Sequence, residues 1–397
     1  MAEKSAGTVA EIFAAFLKLG LTSFGGPIAH LGYFRAEFVE RRKWLSESSY
    51  ADIVALCQFL PGPASSQVGF TLGILRGDGL LGGLAAWFAF TMPSAIILFA
   101  FALGATAFTG PFAEGVLHGL KLVAVAVVAQ AIWGMANSLT PDRARAAIAL
   151  AAVAIVVFIG GSFGQIGAIA LGAVAGLWLC RGDGPAATGH LGFSVSRRHS
   201  AVALGLFAAL FLLTPLVTAK TGSQGLALFD AFYRSGALVF GGGHVVLPLL
   251  QAAVVPRGWV SNDAFLAGYG AAQAVPGPLF TFAAYLGAAM QVEPSGWVGG
   301  LLCLVAVFLP SFLLVVGALP FWHRLRGSPG VRSALTGINA AVVGLLLAAL
   351  YDPVWTSAIG SARDVGLALG AVLLLAVWRV SPWIVVLVAA VVGATLG

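Results

Sequence analysis

Apolar stretches long enough to cross a membrane recur from one end of this chain to the other. A membrane-spanning helix needs roughly 20 mainly apolar residues. Thirteen stretches are candidates: residues 9–24, 50–73, 80–104, 115–137, 143–160, 164–180, 199–218, 227–241, 264–288, 295–320, 331–351, 363–379 and 382–397. Only 9% of the residues are charged, against about 25% in an ordinary soluble domain. The sequence therefore predicts an all-α polytopic membrane protein with about 12 to 13 transmembrane helices.

Two of these stretches contain the same helix-breaking motif. Pro-Gly-Pro occurs in "FLPGPASSQ" (residues 59–67) and again in "AVPGPLFTF" (residues 274–282). A proline inside a helix lacks the N–H donor and displaces the carbonyl four residues earlier. Each unpaired backbone group costs several kcal/mol in hydrocarbon, so such breaks persist only inside protein or beside a water-filled cavity. We therefore expect a broken helix at each motif.

The two motifs belong to a duplication that covers most of the chain. Five blocks occur twice in the same order: "FLKLGLTSFGGP" (16–27) and "FYRSGALVFGGG" (232–243), "RKWLS" (42–46) and "RGWVS" (257–261), "QFLPGP" (58–63) and "QAVPGP" (273–278), "GGLAAWFAFTMPS" (82–94) and "GGLLCLVAVFLPS" (299–311), "LHGLKLVAVAVV" (117–128) and "LTGINAAVVGLL" (335–346). A polar connection, residues 181–200, separates the copies. We predict an N-terminal repeat (1–180), a linker with one connecting helix (181–226) and a C-terminal repeat (227–397).

The number of spans before the second copy sets its orientation. Six spans and the connecting helix precede it, and an odd number inverts it, as in many secondary transporters. With a cytoplasmic N-terminus, most arginines then fall in inner loops, as the positive-inside rule requires. The cluster Arg35, Arg41, Arg42 and Lys43 falls outside and violates the rule. Either the first or the second segment is re-entrant, or the topology near the N-terminus differs from this count.

The helix ends at the breaks are candidate anion sites, because N–H groups at a helix N-terminus carry partial positive charge. Each copy also contains an "FGG" motif at which the helix can break. A kink in a continuous helix is the simpler alternative at this motif. The N-terminal copy has more polar side chains after its Pro-Gly-Pro, and we expect it to contribute more ligands. The predicted substrate-binding positions at the breaks are Phe24, Gly25, Gly26, Pro27, Gln58, Pro61, Gly62, Pro63, Ser65, Gly241, Gly242, Gly243, Gln273, Pro276, Gly277 and Pro278.

Charged side chains inside spans are rare and are functional candidates by default. Lys18 and Arg234 occupy the same repeat position, six residues before each "FGG", and two cations suit a doubly charged anion. Lys18 can instead pair with Glu11 or reach the membrane interface, and Arg234 can form a helical ion pair with Asp230. Lys121 is a further anion candidate, replaced by Asn339 in the other copy.

Histidines and carboxylates supply the candidates for moving protons. His30 and His244 each follow an "FGG" motif and can carry a proton, donate to an oxyanion or satisfy broken backbone. Asp52, Asp230 and Glu11 are the carboxylates nearest the expected cavity and are the proton-coupling candidates. No spacing predicts a metal site or a cofactor, and the three cysteines are isolated in apolar stretches.

The motifs "FGGPIAHLGYFRAEFVERRKWL", "QFLPGPASSQ" and "QAVPGP" resemble the chromate ion transporter family, in its long form with two homologous halves. The resemblance covers nearly the whole chain. It implies proton-driven export of chromate across the bacterial inner membrane, with sulfate as a look-alike anion. The motif positions that carry over are Phe24, Gly25, Gly26, Pro27, His30, Arg35, Trp44, Pro61, Gly62 and Pro63. The second copy departs at Gly243 and Val246, so equivalent anion binding by both halves does not follow.

Other functions stay open beside chromate export. Sulfate uptake by the same fold is the first alternative. A passive channel does not need two broken copies, and an intramembrane enzyme needs a catalytic cluster that these scattered acids do not form. No phosphate-binding loop indicates ATP use, and the start of the chain lacks a signal-peptide pattern. We expect membrane lipid and an oxyanion as partners, and no nucleic acid; a homodimer is compatible with the sequence.

Overall fold

The computed structural model describes residues 7–77, 79–107, 110–180, 196–322 and 327–396. Within those ranges the regular structure is helical, without strands. The helices of the first arm are α1 (Val9–Thr22), α2 (Gly26–Phe34), α3 (Glu47–Phe59), α4 (Ala64–Arg76), α5 (Leu80–Ala107), α6 (Pro111–Leu139), α7 (Arg143–Ile159) and α8 (Gly161–Leu179). The connecting helix is α9 (Arg197–Thr221). The prediction of an all-α polytopic membrane protein is confirmed.

The second arm repeats this order of short and long helices. Its helices are α10 (Gln224–Ala237), α11 (Val246–Val254), α12 (Asn262–Ala272), α13 (Phe282–Ala288), α14 (Gly296–Ala318), α15 (Pro329–Ala349), α16 (Ala362–Ala376) and α17 (Pro382–Leu396). Single turns extend several of them: π-helical turns at Arg35–Arg41 and Leu350–Trp355, 3-10 turns at Gly243–Val245, Leu279–Thr281 and Leu319–Phe321, and the short helix Thr356–Ala358.

Helices α1 and α2 form a hairpin that returns to the side where it began. Helix α1 has 14 residues, or about 21 Å at 1.5 Å per residue, well short of the roughly 30 Å hydrocarbon core. The amide of Gly7 donates to the Arg76 carbonyl at 2.7 Å, and Arg42 Nη1 lies 3.8 Å from Glu11 Oε1. The start of α1, the basic cluster after α2 and the end of α4 therefore lie side by side.

Helices α3 and α4 form a second hairpin from the same side, with Pro-Gly-Pro at its tip. The start of α3 is held beside the first hairpin, where Arg35 Nε donates to Glu47 Oε1 at 2.7 Å. The stretches 9–24 and 50–73 are thus not single spans. Instead, each belongs to a re-entrant hairpin. This is the re-entrant alternative that the misplaced basic cluster raised.

The second arm contains the same two hairpins. Helices α10 and α11 flank the "FGGG" break, and α12 and α13 flank the second Pro-Gly-Pro. The amide of Gln291, after α13, donates to the carbonyl of Trp259, before α12, at 2.9 Å. The second hairpin therefore also closes on its starting side. Helix α11 lies between two of the predicted spans and was not expected.

Longer helices surround these hairpins. Six in the described ranges are long and apolar enough to cross a membrane: Leu80–Gly104, Pro111–Leu139, Gly161–Leu179, Arg197–Thr221, Gly296–Phe321 and Pro329–Ala358. This count differs from the thirteen candidate spans, mainly because four of those stretches lie in hairpins and three others form helices of 17 or fewer residues.

The last two helices of each arm pack on the other arm. Helix α17 lies against α6, and α8 lies against α15, the repeat equivalent of α6. Glycine permits both contacts: a Cβ on Gly119 would collide with the Ala389 carbonyl, and one on Gly337 with the Gly172 carbonyl. These are matching positions in the two arms. The exchange joins both arms into one buried core.

Candidate functional site

The breaks of the two arms bind each other through matched backbone hydrogen bonds. The Gly62 amide in the first Pro-Gly-Pro donates to the Val239 carbonyl at 2.7 Å, and the Gly277 amide in the second donates to the Ser23 carbonyl at 2.9 Å. Ser23 and Val239 are equivalent residues, each just before an "FGG". All four hairpin tips therefore meet in one region, which we call the crossing.

Close packing at the crossing requires glycine at both central positions. Gly62 has φ +123° and Gly277 has φ +93°, values that favour glycine. A Cβ on Gly62 would overlap Ser311 Oγ, and a Cβ on Gly277 would lie 2.9 Å from Ser94 Oγ. Ser94 and Ser311 are the equivalent serines of the two "PS" blocks. The long helices α5 and α14 therefore complete the walls of the crossing.

Helix α4 begins at the crossing without a side-chain cap. It starts at Ala64 after Pro63, and no side chain bonds its first amides. The first N–H groups of a helix have no partner inside the helix and carry partial positive charge. His30, fully buried on α2, approaches this turn, with Nδ1 3.4 Å from Ser65 Oγ. The start of α4 is therefore a buried, electropositive surface.

Six buried polar atoms around the crossing lack a hydrogen-bond partner among the described residues. Leaving a buried polar group unpaired costs about 1–3 kcal/mol, so a cluster of such groups is typical of a site that binds water or a polar ligand. Most of these atoms can donate a hydrogen bond, which suits an anion. The atoms are Ser23 Oγ, His30 Nε2, Ser66 Oγ, Gln67 Oε1, Thr91 Oγ1 and Ser311 Oγ.

Short contacts hold these atoms in the same region. Gln67 Nε2 donates to the Pro61 carbonyl at 2.9 Å, which leaves its Oε1 free. The His30 ring meets the edge of Phe90 with centroids 5.3 Å apart, and Thr91 follows Phe90 on α5. The Phe90 carbonyl in turn lies 3.1 Å from a Cβ built on Gly277. The unpartnered groups thus surround both glycines of the crossing.

The second arm offers fewer free groups at the matching positions. Ser65, Ser66 and Gln67 correspond to Phe280, Thr281 and Phe282. The Thr281 hydroxyl donates to the Pro278 carbonyl at 2.7 Å, so it is already satisfied. His244 Nδ1 lies 2.7 Å from the Tyr269 hydroxyl. In this arm Gln273 Nε2 is a buried polar atom without a partner. The first arm therefore has more unpaired polar groups at its break, and its larger contribution of ligands stays a prediction.

The other predicted break residues lie in these same loops. Gly243 faces its equivalent, Pro27, whose Cγ is 3.1 Å from a Cβ built on that glycine. The Phe24 ring lies 6.0 Å from that of Trp383 at the start of α17. Gln58 is exposed in the last turn of α3. The remaining members, which occupy the breaks themselves, are Gly25, Gly26, Pro61, Gly241, Gly242 and Pro276.

Lys18 and Arg234, the two predicted cations, contact protein groups other than the unpartnered groups of the crossing. The Lys18 side chain is 55% exposed and its Nζ lies 3.9 Å from Glu37 Oε2. Arg234 Nε donates to Asp230 Oδ1 at 2.8 Å, and its guanidinium lies 4.5 Å from the centre of the Phe211 ring on α9. These contacts match the helical ion pair considered for Arg234. A joint role of both cations in anion binding stays a prediction.

Lys121 and the carboxylates Glu11 and Asp230 also have partners in the protein. Lys121 Nζ donates to Asp263 Oδ1 at 2.9 Å, at the start of α12. Glu11 pairs with Arg76 at 3.1 Å, and Asp230 bonds both Arg234 and Thr214. Asp52 is buried on α3.

The comparisons with known proteins follow the same division into arms. A family model described as "Chromate transporter" matches residues 10–177 and again residues 226–394. The chain belongs to the chromate transporter family. The first matched segment lies in the first arm, and the second starts at the last residue of the linker and covers most of the second arm. Its membership agrees with the resemblance of the motifs, and it assigns the chain to transport proteins and not to enzymes.

Several curated relatives cover most of the chain. It is 29% identical over 370 residues to "Chromate transport protein" of Pseudomonas aeruginosa, covering 86% of this chain and 80% of that one. It is 26% identical over 346 residues to "Chromate transport protein" of Cupriavidus metallidurans, covering 86% and 82%. It is 27% identical over 356 residues to "Probable chromate transport protein" of Synechococcus elongatus, covering 84% and 82%. No solved structure matches the chain.

Sequence reasoning missed three side chains of the crossing. Ser23 and Ser311 lie inside repeated blocks, and Thr91 lies three residues before the equivalent Ser94. The repeated "PS" was a usable signal, because a serine directly after a helix proline sits beside freed backbone. No signal in one sequence indicates which hydroxyls stay unpaired after folding.

Proposed function

We propose that this protein exports chromate from the cytoplasm, coupled to protons, and confers chromate resistance. The observation that carries the proposal is the cluster of buried, unpartnered polar groups around the uncapped start of α4. Chromate is a tetrahedral dianion, and its oxygens can accept hydrogen bonds from the first amides of α4 and from the Ser65 and Ser66 hydroxyls. The names of the relatives from P. aeruginosa and C. metallidurans support the choice of anion.

The two arms are proposed to lie upside down relative to each other. If each hairpin returns to its own side, only α5 to α8 and α9 cross before the second arm. Five is an odd number, so the second arm starts on the opposite side. Two inverted arms around one central site are the usual arrangement for alternating access. The matched hydrogen bonds of Gly62 and Gly277 support a two-fold relation between the arms.

The charges of the loops support a cytoplasmic N-terminus under this revised count. The basic cluster after α2 and the arginines at the starts of α7, α9 and α15 then fall on the cytoplasmic side. Lys220, Arg257 and Arg363 fall on the other side. The distribution now follows the positive-inside rule. It agrees with a location in the bacterial inner membrane, as the bacterial relatives also suggest.

His30 is proposed to link proton movement to the anion. Its Nδ1 faces Ser65 Oγ at 3.4 Å and its Nε2 has no partner. A protonated imidazole would donate from both nitrogens and add a positive charge beside the dianion. Asp52, buried on the neighbouring helix α3, stays a proton-coupling candidate beside Glu11 and Asp230, which pair with arginines.

Transport in inside-out membrane vesicles tests the proposal. Vesicles that contain the protein should accumulate chromate when the interior is acidic, and a protonophore should abolish accumulation. His30→Gln should retain binding of chromate but lose the response to the pH gradient. Vesicles with His199→Gln, a histidine on α9 outside the crossing, serve as the control. If intact cells took up labelled sulfate and the vesicles accumulated no chromate, the result would contradict chromate export and favour the alternative function, sulfate uptake.

A further inference from the structure

A groove between α6, α16 and α17 contains two adjoining cavities of different character. The first has a volume of about 390 Å³, and its lining includes the polar side chains of Glu114, His118, Arg363 and Asp364. The second, about 170 Å³, is lined by apolar side chains and glycines. Leu367 borders both cavities. None of the unpartnered groups of the crossing lines the groove, and the proposed transport mechanism does not use it.

The two cavities follow one another in the same direction along all three helices. On α6 the polar cavity occupies residues 111–118 and the apolar one occupies Leu122 and Val123. Along α16 the polar cavity is lined within residues 361–367 and the apolar cavity within residues 366–374. Helix α17 is antiparallel, so Gly393 lines the polar cavity and residues within 385–392 line the apolar one. The polar end therefore lies at the ends of the helices, where headgroups lie, and the apolar end lies deeper. This is the polarity gradient of a lipid molecule.

The polar end presents two opposite charges that are not used within the protein. Arg363 and Glu114 are both exposed, and the part of the chain that the structure describes gives neither side chain an ion pair. His118 and Asp364 form the wall between them, with Nε2 2.7 Å from Oδ1. A cation and an anion on one cavity match a headgroup that contains both a phosphate and an ammonium.

The apolar end is open because two residues on α16 lack side chains. A Cβ built on Gly366 or on Gly370 has no atom within 4 Å, so neither glycine is required by contact with the protein. The two glycines are one helical turn apart and both line the deeper cavity. Aliphatic side chains such as Leu374 and Val388 form its other walls.

We propose that this groove binds a zwitterionic phospholipid of the phosphatidylethanolamine type. Its phosphate lies at Arg363, its ammonium lies at Glu114, and one acyl chain lies along Gly366 and Gly370. Helices α16 and α17 belong to the second arm and α6 to the first. The lipid therefore fills a gap at the joint between the arms, in the leaflet opposite the basic cluster that follows α2.

Native mass spectrometry of the purified, delipidated protein tests the assignment. One molecule of phosphatidylethanolamine per protein should bind tightly, with a higher affinity than phosphatidylglycerol or diacylglycerol. Arg363→Gln should weaken this binding about tenfold, the effect of losing one charge-assisted hydrogen bond. Arg143→Gln, which removes an exposed arginine from the first turn of α7, should leave it unchanged. Glu114→Gln should reduce the preference for phosphatidylethanolamine over phosphatidylglycerol.

Filling the tail groove gives a second, independent variant. Gly370→Leu should exclude the lipid while the protein keeps its folded elution volume, because the added side chain enters open space. Gly205→Leu, at an equally open glycine on α9, should bind lipid normally. Equal binding by Gly370→Leu and the parent protein would overturn the proposal. So would complete displacement of the lipid by inorganic phosphate alone, which would assign the polar end to a free anion.

Discussion

At the residue scale, a substitution at Ser66 tests whether its hydroxyl binds the anion or stabilises the fold. Its hydroxyl is buried and has no partner among the described residues, so removing it breaks no contact within the protein. Ser66→Ala should leave the free energy of unfolding within about 0.5 kcal/mol of the parent. The apparent affinity for chromate should fall by roughly ten- to a hundredfold, because a hydrogen bond to a charged ligand contributes about 1.5–3 kcal/mol. Vesicle transport at varied chromate concentration measures this.

Ser200 on α9 provides the matched control. Its hydroxyl is equally buried but donates to the Val316 carbonyl at 2.9 Å. Ser200→Ala should therefore lower stability by about 1 kcal/mol and leave the affinity for chromate unchanged. If Ser66→Ala lowered stability and not affinity, the anion site would not include this hydroxyl.

The residue scale is also where reading the sequence succeeds least. Ser65 follows a helix-breaking proline and was expected at the site, whereas Ser23 and Ser311 were not. Their importance depends on which polar atoms remain unpaired after packing, and local sequence does not determine this. The charges of Lys18 and Arg234 drew attention because intramembrane charge is rare. Arg234, however, is held by Asp230 four residues earlier, which is a local structural use of charge.

At the element scale, the contact between the hairpin tips depends on the glycine of each Pro-Gly-Pro. Gly62→Ala places a Cβ against Ser311 Oγ at a φ of +123°. Strained backbone of this kind costs on the order of 1–3 kcal/mol, and the overlap adds to it. We expect a lower melting temperature and the loss of chromate transport. Gly277→Ala should have a similar effect, because its amide bonds the other arm in the same way.

Gly160→Ala separates backbone strain from the contact between the arms. Gly160 joins α7 and α8 with φ +71°, and a Cβ there meets no atom within 4 Å. This variant should lower stability by about 1–2 kcal/mol through backbone conformation alone and retain transport. Transport by Gly62→Ala at the level of Gly160→Ala would show that the contact between tips is not needed.

The breaks themselves could be predicted from sequence, and the hairpins could not. A proline in an apolar stretch removes a hydrogen bond wherever it occurs, so the chain marks each break directly. Whether the chain then continues across or turns back depends on distant contacts, such as that of Gly7 with Arg76. Helix α11 was missed for a related reason. It has 9 residues, too few for the periodicity of a span to become visible.

At the scale of the whole molecule, the hairpins decide the topology. Counting α1 and the stretch from α3 to α4 as spans places the basic cluster after α2 outside. Counting them as hairpins places it inside, together with the basic residues at the starts of α7 and α9. Both counts are odd before the second arm, so both invert it. The two counts differ only in which side of the membrane exposes the turn between the two hairpins of each arm.

Labelling of single cysteines distinguishes the two counts. Ser48, in the first turn of α3, and Arg257, in the turn before α12, are exposed where the two hairpins of each arm are joined. Cys57, Cys180 and Cys303 are buried and can be replaced by alanine beforehand. With re-entrant hairpins, Ser48→Cys should react with a membrane-impermeant maleimide only in inside-out vesicles, and Arg257→Cys only in intact cells. The reverse pattern would restore the full spans, and labelling of both from one side would mean that the arms are parallel. In parallel arms, equivalent hairpins would open to the same side of the membrane. Access to the crossing from each side in turn would then require a mechanism other than the exchange of two inverted arms.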